Sequence, residues 1–101
     1  MRATIDIENI TKQLIGMYLP KRLLLFGSQA QGSAEINSDI DLCVVMNTND
    51  KRTLLTEMYM RIEADRPFDL LLYTPDEWES CLLDKTSFAY KINREGMLLY
   101  G

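Results

Sequence analysis

Residues 27–41 of the chain read GSQAQGSAEINSDID, and this polar segment separates two short apolar runs. The first run, Lys21–Phe26, is short, rich in leucine and ends at a glycine, which predicts a buried strand. The second run, Ile40–Met46, is apolar and β-branched and predicts another buried strand. Ten residues separate Ser28 from Asp39. A Gly-Ser pair therefore closes one predicted strand, and an Asp-x-Asp sequence opens the next.

The rest of the chain alternates between helical and extended patterns. Apolar residues at helical spacing predict the helices, and Pro20 and Pro67 interrupt the chain between elements. The prediction is an α/β (α+β) domain, a small mixed β-sheet flanked by helices, which spans residues 1–101 as one domain. The predicted elements outside the central segment are helices over about 5–18, 51–64 and 75–94, the last with a possible break near 84–86, and strands over 68–73 and 97–100.

Composition excludes several classes of function. The 101 residues carry a formal net charge of −4 and no histidine, so a histidine base and a histidine-ligated metal are both excluded. The acidic balance argues against direct binding to the nucleic-acid backbone. No apolar run approaches the length of about 20 residues that a membrane helix needs. Two cysteines form neither a disulfide framework nor a zinc-ligand spacing, which favours a reduced, cytoplasmic location.

The Asp-x-Asp pair has the spacing of a divalent-cation platform. Asp39 and Asp41 are two residues apart on a strand, so both side chains point to the same face. Two carboxylates so placed repel each other, and burial beside an apolar strand adds a desolvation penalty. A cation removes both penalties, and Mg²⁺ prefers a few carboxylates together with phosphate oxygens. The alternative interpretation is a solvent-exposed turn.

The Gly-Ser pair has the chemistry of a phosphate-binding turn. Gly27 permits a sharp turn and the close approach of a ligand, because it has no side chain. Ser28 offers an amide and a hydroxyl, and a helical turn beginning there would direct free N–H groups toward an anion. Taken alone, such a pair is an ordinary turn.

A third carboxylate, Asp69, opens the predicted strand after Pro67. A helix over residues 51–64 is long enough for a crossover, which would make this strand parallel to the one that Asp39 opens. If the strand before Gly27 is antiparallel to them, all of these features meet at one end of the sheet. A surface ion pair between Asp69 and Arg66 is the alternative.

This arrangement resembles the DNA polymerase beta-like nucleotidyltransferase superfamily. Its signature is Gly-Ser, ten residues, Asp-x-Asp and a later strand aspartate. The phrase Ser38-Asp39-Ile40-Asp41-Leu42 and the ending Arg94-Glu95-Gly96-Met97-Leu98-Leu99-Tyr100 are similar to the minimal nucleotidyltransferase (MNT) branch. The resemblance covers nearly the whole chain and implies the polymerase beta-like fold.

The resemblance also implies a function and a partner. MNT proteins are often paired with a HEPN-domain RNase toxin, and this chain resembles the type VII antitoxin that transfers AMP from ATP to a tyrosine hydroxyl of that toxin. On this resemblance Gly27 and Ser28 would hold the triphosphate. Asp39, Asp41 and Asp69 would form the catalytic, Mg²⁺-binding triad, and the HEPN protein and this chain would form a hetero-oligomer.

One departure from the pattern keeps other functions open. Many relatives read Gly-Ser-Arg-Ala-Arg-Gly, whereas Gln29 and Gln31 occupy the two basic positions here. Glutamine donates hydrogen bonds but brings no charge. This departure motivates the alternative of an idle MNT antitoxin that neutralises the toxin by binding alone. A third alternative, a nucleotidyltransferase that acts on a small molecule or an RNA end, is disfavoured by the acidic charge balance.

Overall fold

A computed structural model describes residues 2–32 and 39–101, and within them four strands form one sheet in the order β3-β2-β1-β4. A small mixed sheet flanked by helices confirms the predicted fold class. The elements are α1 (Arg2–Tyr18), β1 (Arg22–Phe26), α2 (Ser28–Gln31), β2 (Ile40–Val45), α3 (Lys51–Arg61), β3 (Phe68–Tyr73), α4 (Pro75–Leu82), α5 (Phe88–Glu95) and β4 (Met97–Tyr100).

The strand directions bring one end of three strands to the same edge of the sheet. β1 pairs with β2 in antiparallel register, and β2 pairs with β3 in parallel register through the α3 crossover. The end of β1 therefore lies beside the beginnings of β2 and β3, as the sequence predicted. β4 pairs antiparallel with the free side of β1 and is the other edge strand.

Alternating side chains divide the core between the two faces of the sheet. On one face, α1 and α3 cover even-numbered residues of β2 and β3, such as Leu42 and Leu70. On the other face, α4 and α5 cover odd-numbered residues, such as Cys43 and Leu71. This second face also carries Asp41, because β-strand side chains alternate between faces.

Local signals in the sequence fix the helix boundaries on both faces. The Thr74 side chain accepts from the Glu77 N–H while the Glu77 carboxylate accepts from the Thr74 N–H, and this reciprocal pair is a capping box at the start of α4. The Asp50 side chain caps α3 by accepting from the Thr53 N–H, without a reciprocal bond to the Asp50 N–H. α3 ends at Arg61 rather than near residue 64, because Ile62 adopts extended backbone and is buried in the core.

The predicted break after α4 is confirmed, since α4 and α5 are separate helices of eight residues each. The Ser87 side chain accepts from the Tyr90 N–H and begins α5. Among the described residues, none of the helices combines the length and the apolar character that crossing a bilayer requires.

Candidate active site

The three aspartates that the sequence singled out lie at one edge of the sheet. Asp41 and Asp69 are direct partners in the parallel β2–β3 register. Asp39 precedes β2 by one residue and influences the electrostatics of Asp41. Asp39 and Asp69 are exposed, and Asp41 is half-buried. The structure therefore pairs Asp41 with Asp69 at this edge, with Asp39 just before β2; that the three bind a metal together stays a prediction.

The Gly27 turn packs against the Asp41 carboxylate. Phe26, the last residue of β1, is the register partner of Asp41, so the next residue turns directly over it. Gly27 has φ 74° and ψ −157°, a region that only glycine occupies readily. A Cβ at Gly27 would overlap the Oδ2 atom of Asp41. Both features require glycine at this position and leave the backbone open to a ligand.

Burial and the neighbouring negative charges raise the pKa of Asp41 above its ordinary value. Burial is the largest cause, followed by the negative charges of Asp69 and then Asp39. Each cause disfavours the carboxylate form of Asp41. A bound cation would favour that form, so the cluster is electrostatically suited to a metal ion.

The residues present fit Mg²⁺ as an ion shared with substrate. Within residues 2–32 and 39–101, no three His, Cys, Asp or Glu side chains form a group that could hold a metal ion by themselves. Mg²⁺ is commonly bound by one or two carboxylates together with substrate phosphates and water rather than by an all-protein cage. Asp41 with Asp69 beside it provides such a partial set of oxygen ligands.

The raised pKa of Asp41 predicts how stability depends on pH. Below the ordinary value of 3.8, Asp41 is protonated in both the folded and the unfolded chain and contributes no penalty. As the pH rises through the raised pKa, the folded state holds more protons than the unfolded state, so the free energy of unfolding falls. The Asp41→Asn variant does not undergo this fall in the free energy of unfolding. Its free energy of unfolding should therefore rise relative to that of the wild type as the pH increases from about 3 to about 7.

Thermal melts of both proteins with a chelator at the two pH values measure this difference. The prediction is wrong if the melting temperature of the wild type increases relative to that of the variant as the pH rises.

Asp41 is followed on the same face by a thiol that takes no part in this chemistry. Cys43 is fully buried, and burial raises its pKa to about 12. The thiolate form that a nucleophile requires is therefore scarce near neutral pH. Cys43 is a core residue beneath the aspartates.

A cleft of about 340 Å³ opens beside Gly27 and Asp41 and includes residues that the sequence reasoning did not select. Its other wall is α5, which contributes Phe88, Lys91 and Glu95. These side chains share one helical face with the buried Ile92, because residues three and four apart lie on the same side of a helix. No local pattern in the sequence marks Lys91 and Glu95 as parts of this wall, because their place in it depends on how α5 lies against the sheet.

The predicted phosphate-binding turn continues from Gly27 into α2. Ser28 begins α2 directly after Gly27, at the mouth of the β1–β2 connection. Residues 33–38 of that connection, which include Ser38, lie outside the described part of the chain.

Arg66, the alternative partner for Asp69, has its Nε 3.8 Å from Oδ2 of Asp6.

Comparison with known proteins gives a family and two structural neighbours. Residues 8–101 match the family model described as polymerase beta, nucleotidyltransferase. Two solved structures, both named putative nucleotidyltransferases, share the fold. One, from Sulfolobus solfataricus, has a TM-score of 0.61 and 17% identity over 91% of this chain and 74% of its own. The other has a TM-score of 0.53 and 24% identity over 98% of this chain and 99% of its own. No curated protein matches the chain.

Proposed function

The chain belongs to the polymerase beta nucleotidyltransferase family, and on that premise we propose that it transfers AMP from ATP to a hydroxyl group of a partner protein. The observation that carries the proposal is the register pairing of Asp41 with Asp69 beside the Gly27 turn. Carboxylates next to a side-chain-free turn suit a metal-bound triphosphate.

The proposed roles follow from the position of each residue. The Gly27 backbone and the amide and hydroxyl of Ser28 contact the triphosphate. Asp39, Asp41 and Asp69 would hold Mg²⁺ together with the substrate phosphates, and the ion would neutralise phosphate charge. Asp41, held between the Gly27 turn and Asp69, is the most enclosed of the three carboxylates.

The transfer step makes one bond and breaks another. The acceptor oxygen attacks the α-phosphorus, and the bond from that phosphorus to the oxygen bridging to the β-phosphate breaks, so pyrophosphate leaves. Asp69 accepts the hydroxyl proton in this proposal. β3 is an edge strand and Asp69 is exposed at its beginning, which supports access for an acceptor that arrives from solvent.

The finer proposal is that the acceptor is a tyrosine of a HEPN-domain toxin and that the chain is its antitoxin. The resemblance to the MNT branch motivates this partner. Two observations are compatible with a protein partner. The aspartates lie at an exposed edge, and β4, which follows the cleft residue Gly96, exposes Met97 and Leu98 by about half. Exposed apolar groups of this kind are typical of protein interfaces.

Label transfer from α-phosphate-labelled ATP tests the proposal. The purified chain is incubated with Mg²⁺, labelled ATP and a HEPN-domain protein that is chosen as the candidate partner. We expect label on the HEPN protein with the wild type, and none when the acceptor tyrosine is replaced by phenylalanine or when Asp39→Asn and Asp41→Asn are combined. Equal labelling by the double variant would overturn the assignment of the site.

A second candidate function, neutralisation by binding alone, is favoured by the loop glutamines. Gln31 Nε2 donates to the Glu95 carbonyl oxygen at 3.3 Å, so this amide is already engaged within the protein. An inherited but idle site predicts a stable complex without nucleotide, and rescue from toxicity by the same double variant. Loss of rescue by a folded double variant would eliminate this candidate.

A further inference from the structure

The cleft between the Gly27 turn and α5 combines an aromatic wall with one cation. Phe26, Phe88 and Ile92 provide the apolar part of the lining. Among the described residues that line the cleft, Lys91 is the one with a positively charged side chain. This combination matches a nucleotide, which has a flat apolar base and charged phosphates.

The aromatic wall presents an open ring surface. The Phe26 and Phe88 rings meet edge to face, with centroids 5.6 Å apart and planes at 87°. Phe88 is 49% exposed, so part of its ring is not covered by the protein. Aromatic side chains in this state stack on nucleobases, because every base offers a π-face.

Lys91 is available to an anion. Its side chain is exposed, and within the described ranges the ion pairs join Lys51 to Glu77, Arg61 to Glu57 and Arg66 to Asp6, not Lys91 to an acid. The same cleft contains Asp41 and Glu95, which attract an ammonium group into it.

The loop that faces α5 lacks the charge that Lys91 provides. Gln29 and Gln31 are neutral, and the hydrogen bond from Gln31 to the Glu95 carbonyl oxygen joins the loop to the end of α5. A cation on α5 therefore lies across the cleft from a neutral loop, close to where the Gly27 turn would receive phosphates.

We propose that α5 supplies two contacts to the nucleotide of the proposed function, with Phe88 in contact with the base and Lys91 in contact with the phosphates. The inference rests on the proposed function and deepens it, because it adds two binding residues on α5. Lys91 replaces the positive charge that the loop glutamines do not supply.

Direct binding separates the two contacts. Calorimetry with Mg²⁺ and α,β-methylene-ATP, and separately with adenosine, is carried out on the wild type and on Lys91→Ala, Lys91→Arg and Phe88→Ala. We expect Lys91→Ala to weaken triphosphate binding about tenfold or more while adenosine binding is unchanged, and Lys91→Arg to restore most of the triphosphate affinity. Phe88→Ala should weaken both ligands by a similar factor, because both carry the base.

Lys12→Ala is the matched control, since it removes the same charge from an exposed position on α1, which packs on the other face of the sheet. It should bind both ligands as the wild type does. If Lys91→Ala and Lys12→Ala bind the triphosphate equally well, the inference is wrong while the proposed function stands. Wild-type binding that depends on Lys91, without label transfer to any protein, would overturn the proposed function and leave the inference intact.

Discussion

Replacing Asp41 by asparagine is expected to reduce nucleotidyl transfer by at least about a thousandfold without unfolding the protein. A metal ion contributes several kcal/mol to stabilising charge in a transition state, and about 4 kcal/mol corresponds to this factor. Asp41 is the half-buried carboxylate of the cluster, held between the Gly27 turn and Asp69. Asparagine keeps the shape but loses the negative charge that binds a cation.

The fold should survive this change, because the native charge is electrostatically unfavourable where it lies. Burial and the neighbouring aspartates raise the pKa of Asp41, so a neutral side chain removes a repulsion rather than a favourable contact. The Asp41→Asn variant should therefore melt at or above the temperature of the wild type at neutral pH without metal. Activity and stability are thus expected to change in opposite directions, which a merely structural aspartate would not produce.

Initial rates of label transfer at saturating Mg²⁺, together with thermal melts, measure both effects. Asp65→Asn is the control, because Asp65 is exposed and lies in the connection between α3 and β3. The control should keep wild-type rates. Asp41→Asn activity within a few fold of Asp65→Asn activity would remove Asp41 from the catalytic machinery.

The sheet edge could be predicted because strand geometry leaves little freedom. Two residues along a strand return a side chain to the same face, which places Asp41 and Cys43 on one face of β2; Asp39 precedes the strand by one residue. A crossover helix makes the flanking strands parallel, and this placed Asp69 directly beside Asp41 in the observed register. The capping box at Thr74 was equally local and equally predictable.

The α5 wall could not be predicted, because it depends on how one helix lies across the sheet. Lys91 and Glu95 resemble ordinary solvated charges near a helix end when only the sequence is considered. Gly96, which follows α5, has φ −78°, a backbone angle that any residue can adopt. Packing requires a glycine at this position, since a Cβ there would collide with the carbonyl oxygens of Ile92 and Leu25. That contact between α5 and β1 is tertiary, and no local pattern encodes it.

The Gly27→Ala variant is expected to lose both stability and activity, and the two losses have separate causes. Gly27 occupies a backbone region, φ 74° and ψ −157°, in which a residue with a Cβ is strained by about 1–3 kcal/mol. The melting temperature should fall by about 4–8 °C for each kcal/mol lost in a domain of this size. The added methyl also overlaps the Asp41 carboxylate, so Asp41 must move. A displacement of about 1 Å at a reacting centre lowers the rate by about a hundredfold.

Gly32→Ala separates backbone strain from the collision with Asp41. Gly32 is also left-handed, with φ 72°, and an added Cβ there meets no described atom within 4 Å. This variant should lose about 1–2 kcal/mol through its backbone while transfer continues near the wild-type rate below the melting temperature. If Gly27→Ala loses stability but transfers as fast as Gly32→Ala, then the close packing of the turn on Asp41 has no catalytic role. A rate that falls only in Gly27→Ala ties the turn to the position of the carboxylate, because both variants carry backbone strain and only one displaces Asp41.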